Sequence, residues 1–145
     1  MDILTGNTQF AKTEGTGWFL GFSAWTRLPG SDLLHVPRKQ LLSGLCVKWF
    51  DHMAGHASGN DKPISEGRTI SILITAASDF SLEFSRASDF PTDGTRTALL
   101  RRQGDYVAWG AGLFHRWRCI DHSTILTIRW SPEDEIGSSS PSSAV

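Results

Sequence analysis

Apolar and polar residues alternate with a period of two along several short segments of this chain. The clearest are LCVKWF (45–50), RTISILIT (68–75), DFSLEFS (79–85) and STILTIRW (123–130). This alternation is typical of β-strands with one buried face. Turn-forming clusters such as LPGSD, PTDG and RQGD separate the segments. The pattern predicts an all-β fold of roughly seven to ten antiparallel strands in a sandwich or barrel.

The same period assigns side chains to faces. Leu45, Val47 and Trp49 share one face of the first segment, and we expect them to line the interior while Lys48 points the other way. On the last segment Arg129 precedes Trp130 and has the opposite parity. We expect this arginine on the outer face.

Arg68 begins the second segment with the same parity as Ile70, Ile72 and Ile74. That parity predicts an inward-facing arginine near the mouth of the barrel. A buried guanidinium needs a partner. The alternatives are an acid of the chain or a carboxylate or phosphate on a ligand, which the planar fork of arginine binds through two hydrogen bonds. The candidate acids are Asp61, Glu66 and Glu83.

The segment GDYVAWGAGLFHRW (104–117) carries the clearest candidate for chemistry. Its first two residues predict a turn, YVAW a strand, and the glycines around Ala111 a backbone bend before the next strand. Strand parity then puts a histidine, an indole and a thiol on one face and two arginines on the other: His115, Trp117 and Cys119 against Arg116 and Arg118. Because adjacent arginines favour water, we expect the histidine to point into the barrel.

The spacing of this segment resembles the second conserved motif of the cupin superfamily, G-x5-P-x-G-x2-H-x3-N. Gly104, Gly112 and His115 stand at motif positions, whereas Gly110 replaces the proline and Cys119 the asparagine. Residues 17–131 are also similar to a group of small bacterial cupins. Some of these carry a signal peptidase label, but the chain has no credible Ser–Lys pair for that activity. The resemblance implies a double-stranded β-helix (jelly-roll) barrel, a pocket inside it and often a homodimer.

The first cupin motif, G-x5-H-x-H-x3/4-E-x6-G, supplies most of the metal ligands in that family. Counting from Gly55, Asp61 and Pro63 occupy the two histidine positions, and Glu66 falls a residue short of the glutamate position. First-row divalent metals take several His, Asp or Glu ligands. We therefore expect no cofactor. A divalent metal in a rearranged site is the alternative, with these candidate ligands: His52, His56, Asp61 and His115.

Composition narrows the class of partner. A chain of 145 residues has the length of one domain, and a net charge of −1 gives no reason to expect nucleic acid or an anionic membrane as a partner. We expect a loosely ordered segment over residues 1–15, the barrel domain over 16–131 and a disordered tail over 132–145. The chain shows no signal-peptide pattern and no apolar run as long as a membrane span, so we expect a cytoplasmic protein.

Three functions fit these residues, and the sequence leaves open whether the protein is an enzyme. The first is a metal-independent isomerase, epimerase or lyase that acts on a small polar or anionic metabolite. His115 would be its general acid or base, because the pKa of histidine lies near neutral pH. Arg68 would bind the substrate beside an aromatic wall of Trp49, Trp109 and Trp117. The alternatives are a metal-dependent, dioxygenase-like cupin and a non-catalytic module that binds a metabolite.

Overall fold

β-Strands dominate the computed structural model, which describes residues 1–133. The strands are β1 (Ile3–Asn7), β2 (Leu42–His52), β3 (Arg68–Leu73), β4 (Ala77–Ser85), β5 (Thr95–Arg102), β6 (Asp105–Trp109), β7 (Phe114–Asp121) and β8 (Ser123–Pro132). Short 3-10 turns occur at Thr8–Phe10, Ala24–Thr26 and Thr92–Gly94. Among residues 1–133, no helix has the length and apolar character needed to cross a membrane.

The strands form two antiparallel sheets, in the orders β1-β6-β3-β8-β2 and β5-β4-β7. Apart from the added β1, these are the two sheets of a jelly roll in which the strand after β2 has been replaced by a loop. Residues 55–58 take that strand's place beside β7. The Gly55 N–H donates to the carbonyl of Cys119 at 2.8 Å, and the Ser58 N–H donates to the carbonyl of Trp117 at 3.0 Å. The predicted all-β, antiparallel jelly-roll fold is confirmed.

The N-terminal residues belong to the larger sheet. β1 pairs with β6 from Ile3 opposite Trp109 to Asn7 opposite Asp105, although the sequence predicted a loosely ordered segment over residues 1–15. The sequence signal is weak because an edge strand of five residues, ILTGN, buries little of either face. The predicted tail over residues 132–145 lies almost wholly outside the described residues.

The larger sheet buries apolar side chains on both of its faces. Between the sheets, Phe80, Phe84, Trp109 and their neighbours form one cluster. On the outer face, residues 19–36 cover a second cluster that includes Ile70, Ile72 and Trp130. The predicted inward orientation of Ile70 and Ile72 is therefore wrong. Their alternation marks a buried face, but the face lies under the N-terminal segment.

The predicted faces of β2 are also reversed. Leu45, Val47 and Trp49 are exposed by 63%, 62% and 63% respectively, on the side away from the barrel. Lys48 and His52 lie on the opposite side and line the interior cavity. The sequence pattern predicted that the apolar face of β2 is the inner one. Here that face is left uncovered within residues 1–133.

Candidate functional site

A cavity lies between the two sheets, beside a wider outer recess. The inner cavity has a volume of about 40 Å³, and the recess one of about 390 Å³. Lys62, His115 and Arg129 line both spaces. The other side chains of the inner cavity are Lys48, His52, Ser71, Phe80, Leu82, Trp109, Trp117, Ile125 and Thr127. Residues 62–66 form one wall of the recess.

His115 is held at the junction of these spaces by the turn that precedes β7. Gly112 has φ = 84°, a left-handed conformation that favours glycine. Ser65 fixes both sides of the turn: its side-chain oxygen donates to the carbonyl of Gly110 at 2.9 Å and accepts from the N–H of Leu113 at 3.0 Å. The glycines of the cupin-like motif thus let the chain bend tightly before β7, so that the side chain of His115 points inward.

The predicted faces of β7 are confirmed. His115 is 9% exposed and Cys119 is fully buried, while Arg116 pairs with Glu83 on the outside and Arg118 is exposed. Trp117 is half-buried against the core between the sheets. The strand therefore presents an imidazole and an indole to the cavity.

Three cationic side chains converge on the cavity around His115: Lys48, Lys62 and Arg129. They come from β2, from the loop before β3 and from β8. Arg129 donates through Nε to the hydroxyl of Thr69 at 3.2 Å. Within residues 1–133, none of the three forms an ion pair with an acid. Burial and the charges of Lys48 and Arg129 lower the pKa of Lys62. Within residues 1–133 no acidic side chain lines the inner cavity, so these cations give it a positive field.

The cavity also keeps His115 neutral. Burial is the largest cause that lowers its pKa, to about 4, and the charges of Lys62, Arg129 and Lys48 lower it further in that order. The ring of Trp109 packs beside it at a centroid distance of 5.1 Å. His115 Nδ1 and Trp109 Nε1 are both buried without a hydrogen-bond partner in the described part of the chain. A neutral imidazole in this position can accept a proton from a ligand.

Arg68 does not line this site, so its predicted position inside the barrel is wrong. Its guanidinium lies under the N-terminal segment, where Nη1 donates to the carbonyls of Asp32 at 2.8 Å and His35 at 3.1 Å. Glu83, one of its candidate partners, pairs with Arg116 instead. Arg68 shares the parity of Ile70 because both contact residues 19–36 on the outer face of the sheet.

The predicted aromatic wall is confirmed in part. Trp109 and Trp117 line the inner cavity, and Trp117 stacks on Phe80 at a centroid distance of 5.6 Å. Trp49 lies on the outer face of β2 and does not reach the cavity. Its predicted place in the wall is wrong for the same reason as the predicted faces of β2.

The candidate metal ligands do not assemble into a metal site. His52 Nδ1 lies 3.1 Å from His56 Nδ1, so these two atoms contact each other. No group of three or more His, Cys, Asp or Glu side chains within residues 1–133 is arranged to hold a metal ion. Asp61 is exposed and His115 stands among cations. The donor set therefore does not fit a divalent metal.

Sequence reasoning missed the cations of the site. Arg129 was expected on the outer face and Lys48 outside the barrel, and Lys62 had no assigned role. A signal for two of them lies in the alternation itself. Arg129 has the parity of Thr127, which pairs with Lys48 across β2 and β8. Placing Trp130 on the outer face would have placed Arg129, Thr127 and Lys48 on the inner face.

Comparison with known proteins gives partial similarity in structure alone. No protein-family model and no curated protein sequence matches the chain. A histidine-to-asparagine mutant of the 3,4-ketoisomerase QdtA from Thermoanaerobacterium thermosaccharolyticum, in complex with TDP-4-keto-6-deoxyglucose, matches with a TM-score of 0.41 and 13% identity, over 59% of this chain and 57% of that chain. The WlaRB TDP-quinovose 3,4-ketoisomerase from Campylobacter jejuni matches with a TM-score of 0.37 and 7% identity, over 61% of this chain and 62% of that chain. The chain thus spans about three fifths of the length of these structures. At this level of similarity, the fold rests on the strand order and the function on the residues of the site.

Proposed function

We propose that the barrel binds a small anionic molecule in the cavity around His115. The observation that carries this proposal is the convergence of Lys48, Lys62 and Arg129 on one cavity, with no ion pair to an acid among residues 1–133. Keeping like charges together is unfavourable unless an opposite charge joins them. An anion supplies that charge, and a partly dehydrated cavity strengthens the attraction.

The volumes of the inner cavity and the recess suggest which part of the ligand would lie in each. A volume of about 40 Å³ holds a few water-sized groups, such as the oxygens of a carboxylate or phosphate. The recess of about 390 Å³ has the size of an ordinary metabolite site. The anionic group would lie in the inner cavity between the cations, and the rest of the molecule would lie in the recess.

His115 gives this pocket the means for chemistry without a metal. A neutral imidazole can remove a proton from a carbon beside a carbonyl, which is the first step of many isomerisations, epimerisations and eliminations. The enolate that forms is negatively charged, and Lys62 and Arg129 stand beside His115 to stabilise it. The protonated imidazole then returns the proton. The binding proposal does not depend on this step.

Titration of the protein with inorganic phosphate, followed by calorimetry and by the NMR signals of His115, tests the binding. We expect phosphate to bind and to shift those signals. Lys62→Met and Arg129→Met should each weaken binding by about 10- to 150-fold, since a lost charged contact costs about 1.5–3 kcal/mol. Arg118→Met removes an exposed arginine from the outer face of β7 and is the matched control. Equal phosphate affinity in all four proteins contradicts the proposal.

We also propose that a second copy of this chain covers the exposed face of β2. This strand is the edge of its sheet and has no strand partner on its free side within residues 1–133. An edge strand can pair antiparallel with its own copy across a two-fold axis. Pairing centred on Val47 would bring Leu45 of each copy opposite Trp49 of the other. The exposed apolar stripe of Leu45, Val47 and Trp49 lies along this strand edge of 11 residues and would be covered by such pairing.

A further inference from the structure

A second histidine reaches the cavity that holds His115. His52 is the last residue of β2 and is 4% exposed. Its ring packs against Trp117 at a centroid distance of 4.3 Å and against Phe80 at 5.1 Å. These contacts fix its position in the wall of the inner cavity.

The Nδ1 atom of this ring is already engaged. It lies 3.1 Å from Nδ1 of His56, an exposed residue. In a hydrogen bond between two neutral imidazoles, one Nδ1 donates and the other accepts, so the rings hold complementary tautomers. The nitrogen of His52 left for a ligand is Nε2, and the nitrogen of His56 left for water is Nε2.

The backbone holds His56 in place for this contact. The Cys119 N–H donates to the carbonyl of His56 at 2.8 Å, and the Gly55 N–H donates to the carbonyl of Cys119 at 2.8 Å. The His56 N–H donates to the carbonyl of Met53 at 3.0 Å. The loop that replaces a jelly-roll strand is thus tied to β7 at the residue that contacts His52.

The charged groups around His52 keep it neutral in the absence of a ligand. Burial is the largest cause that lowers its pKa, to about 4, and the positive charges of Lys48 and Lys62 act in the same direction, as would a proton on His56. Asp51 opposes them, but its carboxylate accepts hydrogen bonds from the side chains of Thr124 and His122. From β4 and β7, uncharged aromatic rings face His52.

We propose that His52 and His56 form a proton-exchange pair that connects the cavity to solvent. His52 Nε2 accepts a proton from a bound molecule, the Nδ1 proton of His52 passes to Nδ1 of His56, and the Nε2 proton of His56 leaves to water. One proton moves from the ligand to solvent, and the two rings exchange tautomers. The proposal rests on the proposed function, because an anion in the cavity offsets the positive charges that oppose a proton on His52.

Long-range ¹H–¹⁵N NMR of the histidine rings, with and without saturating inorganic phosphate, tests the pair. Without phosphate, we expect His52 with a protonated Nδ1 and His56 with a protonated Nε2. With phosphate, we expect the pKa of His52 to rise by at least one unit. Identical tautomers on the two rings, or an unchanged His52 in a protein whose His115 signals respond to phosphate, overturns the pair alone. Phosphate that shifts neither histidine contradicts the proposed function, and the pair fails with it.

Two variants of His56 test whether this residue is the hydrogen-bond acceptor that lets His52 take up a proton. His56→Ala removes the acceptor for a protonated His52, so the rise in the pKa of His52 with phosphate should be lost. His56→Asn offers a side-chain oxygen in place of Nδ1 and should restore most of the rise. A full rise in His56→Ala, or no recovery in His56→Asn, overturns the pair, and thermal melts of each variant confirm folding.

Discussion

The rings of Trp109 and His115 lie side by side at a centroid distance of 5.1 Å, and each has a buried nitrogen without a hydrogen-bond partner in the described part of the chain. An unsatisfied buried polar atom costs about 1–3 kcal/mol. A polar group that reached either nitrogen would relieve one of these costs. The two rings therefore mark a part of the cavity wall whose polar atoms are not satisfied by residues 1–133.

The first prediction concerns pH. The pKa values of His115 and His52 are lowered from 6.5 to about 4 in the folded protein, so the unfolded chain takes up these protons first. Their contribution to stability is complete above pH 6.5 and is lost as the pH falls from 6.5 through about 4. The loss approaches about 3 kcal/mol for His115 and is smaller for His52, whose charge is better screened by solvent. Urea unfolding at several pH values in this range measures it.

His115→Gln isolates one histidine in this experiment. The variant has no ionisable group at that position and should lose less stability than the wild type between pH 6.5 and pH 4. His122→Gln replaces a histidine whose side chain is 49% exposed and should follow the wild type. A pH dependence of unfolding that is the same in all three proteins would show that His115 is not kept neutral by the fold.

The second prediction is that His115→Ala preserves folding and impairs function. The imidazole lines a cavity and makes no hydrogen bond through its buried Nδ1, so little stability should be lost at pH 7. Phosphate affinity should change little, while turnover of a substrate should fall by about 10²–10⁴-fold if His115 transfers the proton. A thermal melt and an activity assay check the two parts. Unfolding of the variant would make His115 part of the scaffold.

How far the sequence predicts the fold depends on what each alternating segment contacts. The alternation in β4, with Phe80, Leu82 and Phe84 buried, was sufficient because that face packs inside the barrel. In β3 the alternation was equally clear, yet Ile70 and Ile72 face outward beneath residues 19–36. The alternation of apolar and polar residues shows which face of a strand is buried. It does not show which other segment covers that face.

The sequence predicted only part of the candidate site. His115 was found because its glycine-rich approach and the adjacent arginines restrict where the side chain can point. Lys48 and Arg129 were missed because a charged residue opposite an apolar one is ordinarily the solvent-facing member of the pair. At this site Lys48 and Arg129 line a cavity while remaining exposed, and the apolar Trp49 faces away from that cavity. The usual rule correctly leaves these cations in contact with solvent, but it does not show that a cavity lies on their side of the strand.

The third prediction separates Arg68 from the site. Arg68→Met should destabilise the protein by about 1–3 kcal/mol, because the carbonyls of Asp32 and His35 lose charged donors. Cleavage by a protease within residues 19–36 should become faster, since this segment would separate more readily from the sheet. Phosphate affinity should match the wild type. A variant that keeps its stability but loses phosphate binding would place Arg68 in the ligand site after all.

The last prediction concerns the exposed face of β2. Val47→Asp places a charge at the centre of the proposed two-fold pairing, where the two copies of residue 47 would stand opposite each other. Like charges that face each other across paired strands repel, and a carboxylate cannot be buried there without a partner. We expect the wild type to sediment as a dimer and this variant as a monomer in analytical ultracentrifugation. Leu99→Asp is the matched control, because Leu99 is a 45% exposed residue of β5 in the other sheet, and it should remain dimeric.

A wild-type protein that sediments as a monomer at micromolar concentration contradicts the proposal, since a stripe of Leu45, Val47 and Trp49 with more than half of each residue exposed would then be stable in water without a covering partner. A dimer that persists in Val47→Asp but dissociates in Leu99→Asp would move the interface to the smaller sheet.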